Sequence, residues 1–210
     1  MNTEARPFFG IARHRIGTDG KGITTLCTFH GCPLRCKYCL NPQGLDPNTN
    51  CDHLTPEELY QKVKIDELYF LATGGGVTFG GGEPLLNIPF LESFRALCGD
   101  AWHLSAETSL HVSEEAVRRA AGVLDYFIVD IKDTNADIYL RYTGKPNGIV
   151  LHNLEILLSL VGPERITVRV PKIPRFNTAK DIESSKQYLS QMGIVHFNFF
   201  DYIIRQPSGV

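Results

Sequence analysis

Four of the six cysteines lie within thirteen positions, and three of them are Cys32, Cys36 and Cys39. Thiolates are metal ligands, and a tight set in one loop of a chain this long is metal chemistry rather than a secreted disulfide framework. Iron–sulfur clusters usually take four thiolates, so three would leave one iron of a 4Fe-4S cluster open to a substrate. Zinc, with a fourth ligand such as His30 or His53, uses the same residue types. Spacing alone leaves both open.

Other residues could serve chemistry at the same place. Gly81, Gly82 and Glu83 form a turn in which glycines permit close backbone approach and unusual torsions. Asp130 and Lys132 are two apart at a strand end, so their side chains share a side while Ile131 faces the other way. A polar pair on an otherwise apolar strand is costly unless partnered. Glu107 with Thr108, Arg169, and the pair Asn198 and Asp201 also fall on or just after apolar runs.

The elements that must position these residues alternate short apolar runs with helix signals, the pattern of repeated βα units. Strands are expected at Ile23–Phe29, 77–79, 103–106, 126–131, 166–170 and 194–200. Thr55, Pro56 and Glu58 supply an N-cap, a first-turn proline and a capping-box acid, with Leu59, Val63 and Leu68 on one helical face. Phe90, Leu91, Phe94 and Leu97 mark a second helix. Ser113 caps a third, with Glu114 and Glu115 in its positive first turn. Further helices are expected over 151–160 and from Thr178 through Met192. At about 30 residues per unit, six units consume the chain, whereas a closed eight-unit barrel takes about 250 residues. A partial barrel or an open sheet is what the length permits. Both place their chemistry at the C-terminal ends of the strands, where the cysteine loop, Gly81, Gly82 and Glu83, Glu107 with Thr108, and Asp130 with Lys132 fall.

The 210 residues are 43% hydrophobic and 21% charged, with a net charge of −2. This composition describes one globular domain over 1–210 and excludes disorder and low-complexity classes. The near-neutral charge gives no reason to expect nucleic acid or a membrane surface as partner. No run approaches the roughly 18 apolar residues of a membrane span, and no basic-then-apolar leader opens the chain. A cytoplasmic location is expected.

The string from Gly31 to Cys39, GCPLRCKYC, resembles the CxxxCxΦC signature of radical S-adenosylmethionine (SAM) enzymes. The wider GITTLCTFHGCPLRCKYCLNP, with GGGVTFGGGEPLL, FIVDIKD and YTGKPN, is similar to the activating enzymes of glycyl radical enzymes, of the pyruvate formate-lyase activating type. The resemblance implies a partial (β/α)6 TIM-like barrel with a mostly parallel sheet. It implies a 4Fe-4S cluster held by Cys32, Cys36 and Cys39, SAM chelating the open iron, and reductive cleavage to a 5′-deoxyadenosyl radical. Tyr38 is implied to lie against the adenine, and Gly81, Gly82 and Glu83 to form the motif that meets the methionyl amine. Thr108, Asp130, Lys132 and Arg169 are implied as further SAM contacts. Glu107 replaces a family aspartate linked to a monovalent cation, and Asp201 falls where the family commonly carries a histidine. The implied partners are a glycyl radical enzyme that surrenders a backbone hydrogen and a flavodoxin or ferredoxin electron donor. A radical SAM enzyme acting on a small molecule or peptide fits the cofactor motifs equally well, and a non-catalytic metal-binding or electron-transfer module fits the cysteines alone. Cys27, Cys51 and Cys98 are too few for a second all-cysteine cluster, so no ferredoxin-like insertion is expected.

Overall fold

The computed structural model describes residues 3–202. Six parallel strands form where apolar runs are longest: β2 (Ile23–Phe29), β4 (Gly76–Gly81), β5 (His103–Thr108), β6 (Tyr126–Asp130), β7 (Ile166–Lys172) and β8 (His196–Asp201). Two further strands, β1 (Arg6–Ile16) and β3 (Asp52–Leu54), join antiparallel at one edge, giving the order β3-β1-β2-β4-β5-β6-β7-β8. The sheet is α/β, mostly parallel and open, since β3 and β8 do not pair.

The antiparallel pair is absent from the expectations because its signal is broken. β1 alternates apolar and charged residues irregularly, and two register shifts, with His14 at φ 56, interrupt its pairing to β2. A bulge reverses which residues face the core, so period-2 alternation fails to register as one strand.

Helices cover one face. The capping box at Thr55 and Glu58 starts α1 (Pro56–Val63), and a 3-10 turn at Lys64–Asp66 separates it from α2 (Glu67–Thr73). That turn shifts the helical phase and corrects one expectation: Leu68 is 76% exposed, and Phe70 takes the buried position beside Leu59 and Val63. The helices α3 (Ile88–Cys98), α4 (Glu114–Ala121), with its Ser113 cap, α6 (Gly148–Val161) and α7 (Ala179–Met192) match the expected stripes within a few residues. Between them α5 (Ala136–Thr143) was not anticipated, although Asn135 caps its start and the left-handed Gly144 ends it.

Alternation along the strands separates two environments. Cys27, Phe29, Val77, Phe79, Leu104, Ala106, Phe127 and Val129 bury against the helices in one core. The other face is polar, carrying Thr28, Thr78, Ser105, Glu107, Asp130 and Arg169. The β1–β2 loop crosses this concave face, with Thr78 Oγ1 donating to Asp19 O and Arg169 donating to Thr18 O, so that Thr78 and Ser105 are fully buried, while the upper rim holds the strand ends.

Candidate active site

The loop after β2 is built by hydrogen bonds to three neighbours. Gly31 N–H donates to Gly44 O (2.8 Å), and Arg35 and Lys37 N–H, on either side of Cys36, donate to the α5 carbonyls of Thr143 and Tyr142 (2.9 and 3.1 Å). The turn after β4 supplies the third tie: Gly82 N–H donates to Phe29 O and Glu83 N–H to Gly31 O, both at 2.8 Å. This contact explains the glycines. Gly81 has φ +87, and a Cβ on Gly82 would lie 2.1 Å from the Gly31 carbonyl oxygen. Only glycine lets the two loops approach so closely.

Cys32, Cys36 and Cys39 line one cavity, together with Gly81, Gly82, Glu83, Thr108, Asp130, Lys132 and Arg169. Residues that are far apart in sequence but were expected at one rim therefore meet there. Burial pushes the Cys32 thiol up to about 12, with Glu83 adding to the effect, and the Cys36 thiol up to about 11, against the pull of Lys132. Buried thiols of this kind stay protonated unless a cation replaces the proton.

Glu83 is 1% exposed yet saturated: Thr108 Oγ1 and Leu85 N–H donate to Oε1 (2.6 and 3.2 Å), and Ser109 N–H and Oγ donate to Oε2 (2.9 and 2.6 Å). Burial still raises its pKa, opposed by those four donors. Thr108 also accepts from Leu110 N–H (2.9 Å), so its hydroxyl braces the acidic turn. Glu107 pairs with Arg169 (2.6 Å), which also donates to Thr18 O (2.9 Å) in the β1–β2 loop. Burial raises the Glu107 pKa, with Arg169 pulling it the other way. Lys132 is 7% exposed and lies 3.3 Å from Asp130; burial alone would lower its pKa, but Asp130, Tyr202 and Cys36 hold it well above the ordinary value. The second Asp130 oxygen, Oδ1, is buried without a hydrogen-bond partner among the described residues.

Two expected residues stand apart from the cavity. Tyr38 is half-buried, with its ring 5.7 Å from Phe176 and 6.2 Å from Tyr142. Asp201 points outward from β8, 80% exposed and 4.0 Å from Lys172, while its neighbours Phe200 and Tyr202 take the cavity side. Sequence reasoning had assigned no role to Ser109 or Tyr202. Lys132 Nζ lies over the Tyr202 ring at 5.8 Å, and the signal that could have found it is an aromatic two positions after Phe200 at a strand end.

The residues present fit a cluster and an organic cofactor. Three thiols share one cavity. His30 bonds instead to Asp46 O (3.0 Å), and His53 is exposed on β3. Neither histidine stands with the three thiols to complete a four-ligand zinc set. The orphaned Asp130 oxygen calls for a hydrogen-bond donor from a bound molecule.

The family model of the radical SAM superfamily matches residues 26–185. The chain belongs to the radical SAM superfamily. Members of this superfamily use a 4Fe-4S cluster and S-adenosylmethionine. The pyruvate formate-lyase-activating enzyme of Staphylococcus aureus (strain USA300) is 34% identical over 174 residues, covering 79% of this chain and 68% of that protein. Streptococcus suis SuiB bound to S-adenosylmethionine superposes with a TM-score of 0.65 at 11% identity, over 88% of this chain and 41% of that one. Native anSMEcpe with bound AdoMet gives 0.61 at 19% identity, over 82% and 49%. The chain thus spans less than half the length of these two structures, and the likeness to them is one of fold.

Proposed function

We propose that this radical SAM enzyme abstracts hydrogen from a backbone glycine of a large partner protein, installing a stable radical there. The observation that carries the reading is the 34% identity to a pyruvate formate-lyase-activating enzyme across 79% of the chain. Cys32, Cys36 and Cys39 hold the cluster, and Cys27, Cys51 and Cys98 lie outside the cavity, which suits a single cluster. With cluster and SAM bound, the site supplies a 5′-deoxyadenosyl radical by reductive cleavage.

The chain's own residues bind, orient and exclude water. Gly81 and Gly82 bring backbone against the cofactor's amino acid end, and Glu83, clamped by Thr108 and Ser109, keeps that turn rigid. Asp130, with Oδ1 buried and unpartnered among the described residues, would accept a hydrogen bond from bound SAM, while Lys132 balances its charge. Arg169, held in place by Glu107, would be a further SAM contact. Flavodoxin or ferredoxin provides the electron.

The open side of the sheet supports a bulky substrate. Gly10 and Ala12 on β1 are exposed, on the stretch of that strand that β3 does not cover. An acceptor loop needs an open edge, whereas a small molecule is better served by enclosure. A small-molecule or peptide substrate is the second reading, favoured by the end of β8, where Phe200 and Tyr202 face the site and Asp201 does not.

Anaerobic purification should yield about four iron and four sulfide per chain, and reduction with SAM should release 5′-deoxyadenosine. Electron paramagnetic resonance after mixing with a candidate glycyl radical enzyme should then show a protein-bound radical. Zinc in place of iron would overturn the enzyme reading. Its activase form would fall if no glycyl radical enzyme of the same organism acquired the signal.

A further inference from the structure

Asn153 on α6 is fully buried, and its side chain fastens the loop that follows β5. Nδ2 donates to Leu110 O and to Val112 O, both at 2.9 Å, while Oδ1 is buried without a partner among the described residues. Leucine would fill the position without leaving a polar atom unpaired, so what the amide contributes is that pair of bonds. The loop they hold contains a strained residue. Leu110 has φ 57, in the left-handed region that is costly for any residue with a Cβ, and its side chain is fully buried in the core. Such a conformation persists only where neighbours enforce it. Leu110 is gripped at both ends of its backbone, its N–H donating to Thr108 Oγ1 (2.9 Å) and its carbonyl accepting from Asn153.

The consequence lies one residue back. Ser109 N–H and Oγ both donate to Glu83 Oε2, at 2.9 and 2.6 Å, and Thr108 Oγ1 donates to the other Glu83 oxygen at 2.6 Å. If Leu110 relaxed to an ordinary φ, the peptide planes beside it would turn and the Ser109 donors would leave a carboxylate that is 1% exposed. A buried carboxylate stripped of donors is costly, so the turn that carries it would open. That turn is the one formed by Gly81, Gly82 and Glu83, and the Glu83 N–H ties it to Gly31 O of the cysteine loop. Asn153 itself is not among the residues that line the site cavity.

We propose that Asn153 is a positioning residue for the SAM site: by holding Leu110 in the left-handed conformation it keeps Thr108 and Ser109 on Glu83, and so fixes the glycine turn that receives the cofactor. The inference rests on the reading of that turn as a SAM contact.

Calorimetric titration of SAM into cluster-loaded protein tests this, with the native chain, Asn153→Leu, Ser109→Ala and the double variant. Asn153→Leu should keep native iron and sulfide yet bind SAM about tenfold more weakly, the size of one hydrogen bond to a charged group. Because both substitutions act on one clamp, the double variant should bind SAM no more weakly than the weaker of the two single variants. Losses that add, or native affinity in Asn153→Leu, would overturn the proposal by showing that the residue is only a strut of the fold. Asn153→Ser, smaller and with one hydroxyl donor for two carbonyls, repeats the measurement should Asn153→Leu not fold. Native affinity in folded Asn153→Ser, or failure of both variants to fold, would overturn the proposal as well. An iron-loaded native chain that bound no SAM would instead sink the cofactor reading on which the proposal stands.

Discussion

The three cysteines and the carboxylate facing them are the residues on which cofactor chemistry depends. Replacing Cys36 with Ala removes one of three thiolates, and both cluster content and turnover should vanish; iron retained at native stoichiometry would refute the assignment. Asp130→Asn keeps the shape of the side chain but removes the charge that balances Lys132 and weakens the acceptor at the orphaned oxygen. SAM affinity should fall about tenfold, equivalent to ~1.4 kcal/mol, as measured by calorimetry on cluster-loaded protein, with iron content unchanged. The type and spacing of these residues were legible in sequence because a loop motif and an i, i+2 pair are local. The clamp of Thr108 and Ser109 on Glu83 was not, since it joins positions 25 and 26 residues apart across two strands.

At the scale of elements, the site depends on how loops and helices are fastened to the strand ends. Gly82→Ala would drive a Cβ into the Gly31 carbonyl, which is backbone and cannot move aside cheaply. The β4 turn should separate from the cysteine loop, with a stability loss of about 2–4 kcal/mol in thermal melts and loss of cluster uptake. At the opposite end of the sheet, Asp66 is fully buried and receives Arg13, His14 and the Thr25 hydroxyl. Burial would raise its pKa, but the hydrogen bonds from Arg13 and Thr25 outweigh it and hold the carboxyl below its ordinary value. Its stabilisation is therefore full above the unfolded value of about 3.9 and lost as pH falls through the lower folded value. Asp66→Asn should cost about 2 kcal/mol near neutral pH, the low side for a buried pair because Arg13 is half-exposed. The variant should also show a flatter acid limb in urea-melt stabilities measured against pH. Caps such as Thr55, Ser113 and Thr178 were readable because they act within one turn. The break between α1 and α2 was not, because the burial of Asp66 and Phe70 against other elements sets it.

For the whole molecule, the open edge is the feature that bears on substrate. Ala12 pairs with Leu26, which shares the concave face with Gly80 and Glu107, and it is exposed there. A bulky Ala12→Trp should obstruct an incoming protein loop while leaving the cluster site untouched. Radical transfer to the partner should fall about tenfold or more, while release of 5′-deoxyadenosine without partner stays at the native level. Equal loss of both would show that β1 serves the cofactor rather than substrate entry.

The sequence by itself determined the cysteine triad, the glycine turn, six parallel strands and most of the helix caps, because each is written in spacing within one element or one loop. Only the tertiary structure decided that Glu107 meets Arg169 across 62 positions, that Asp201 turns outward, and that a bulged antiparallel pair extends the sheet. Strand order, register and the direction of each side chain arise from which faces of distant elements bury together. Local periodicity carries no information about that choice.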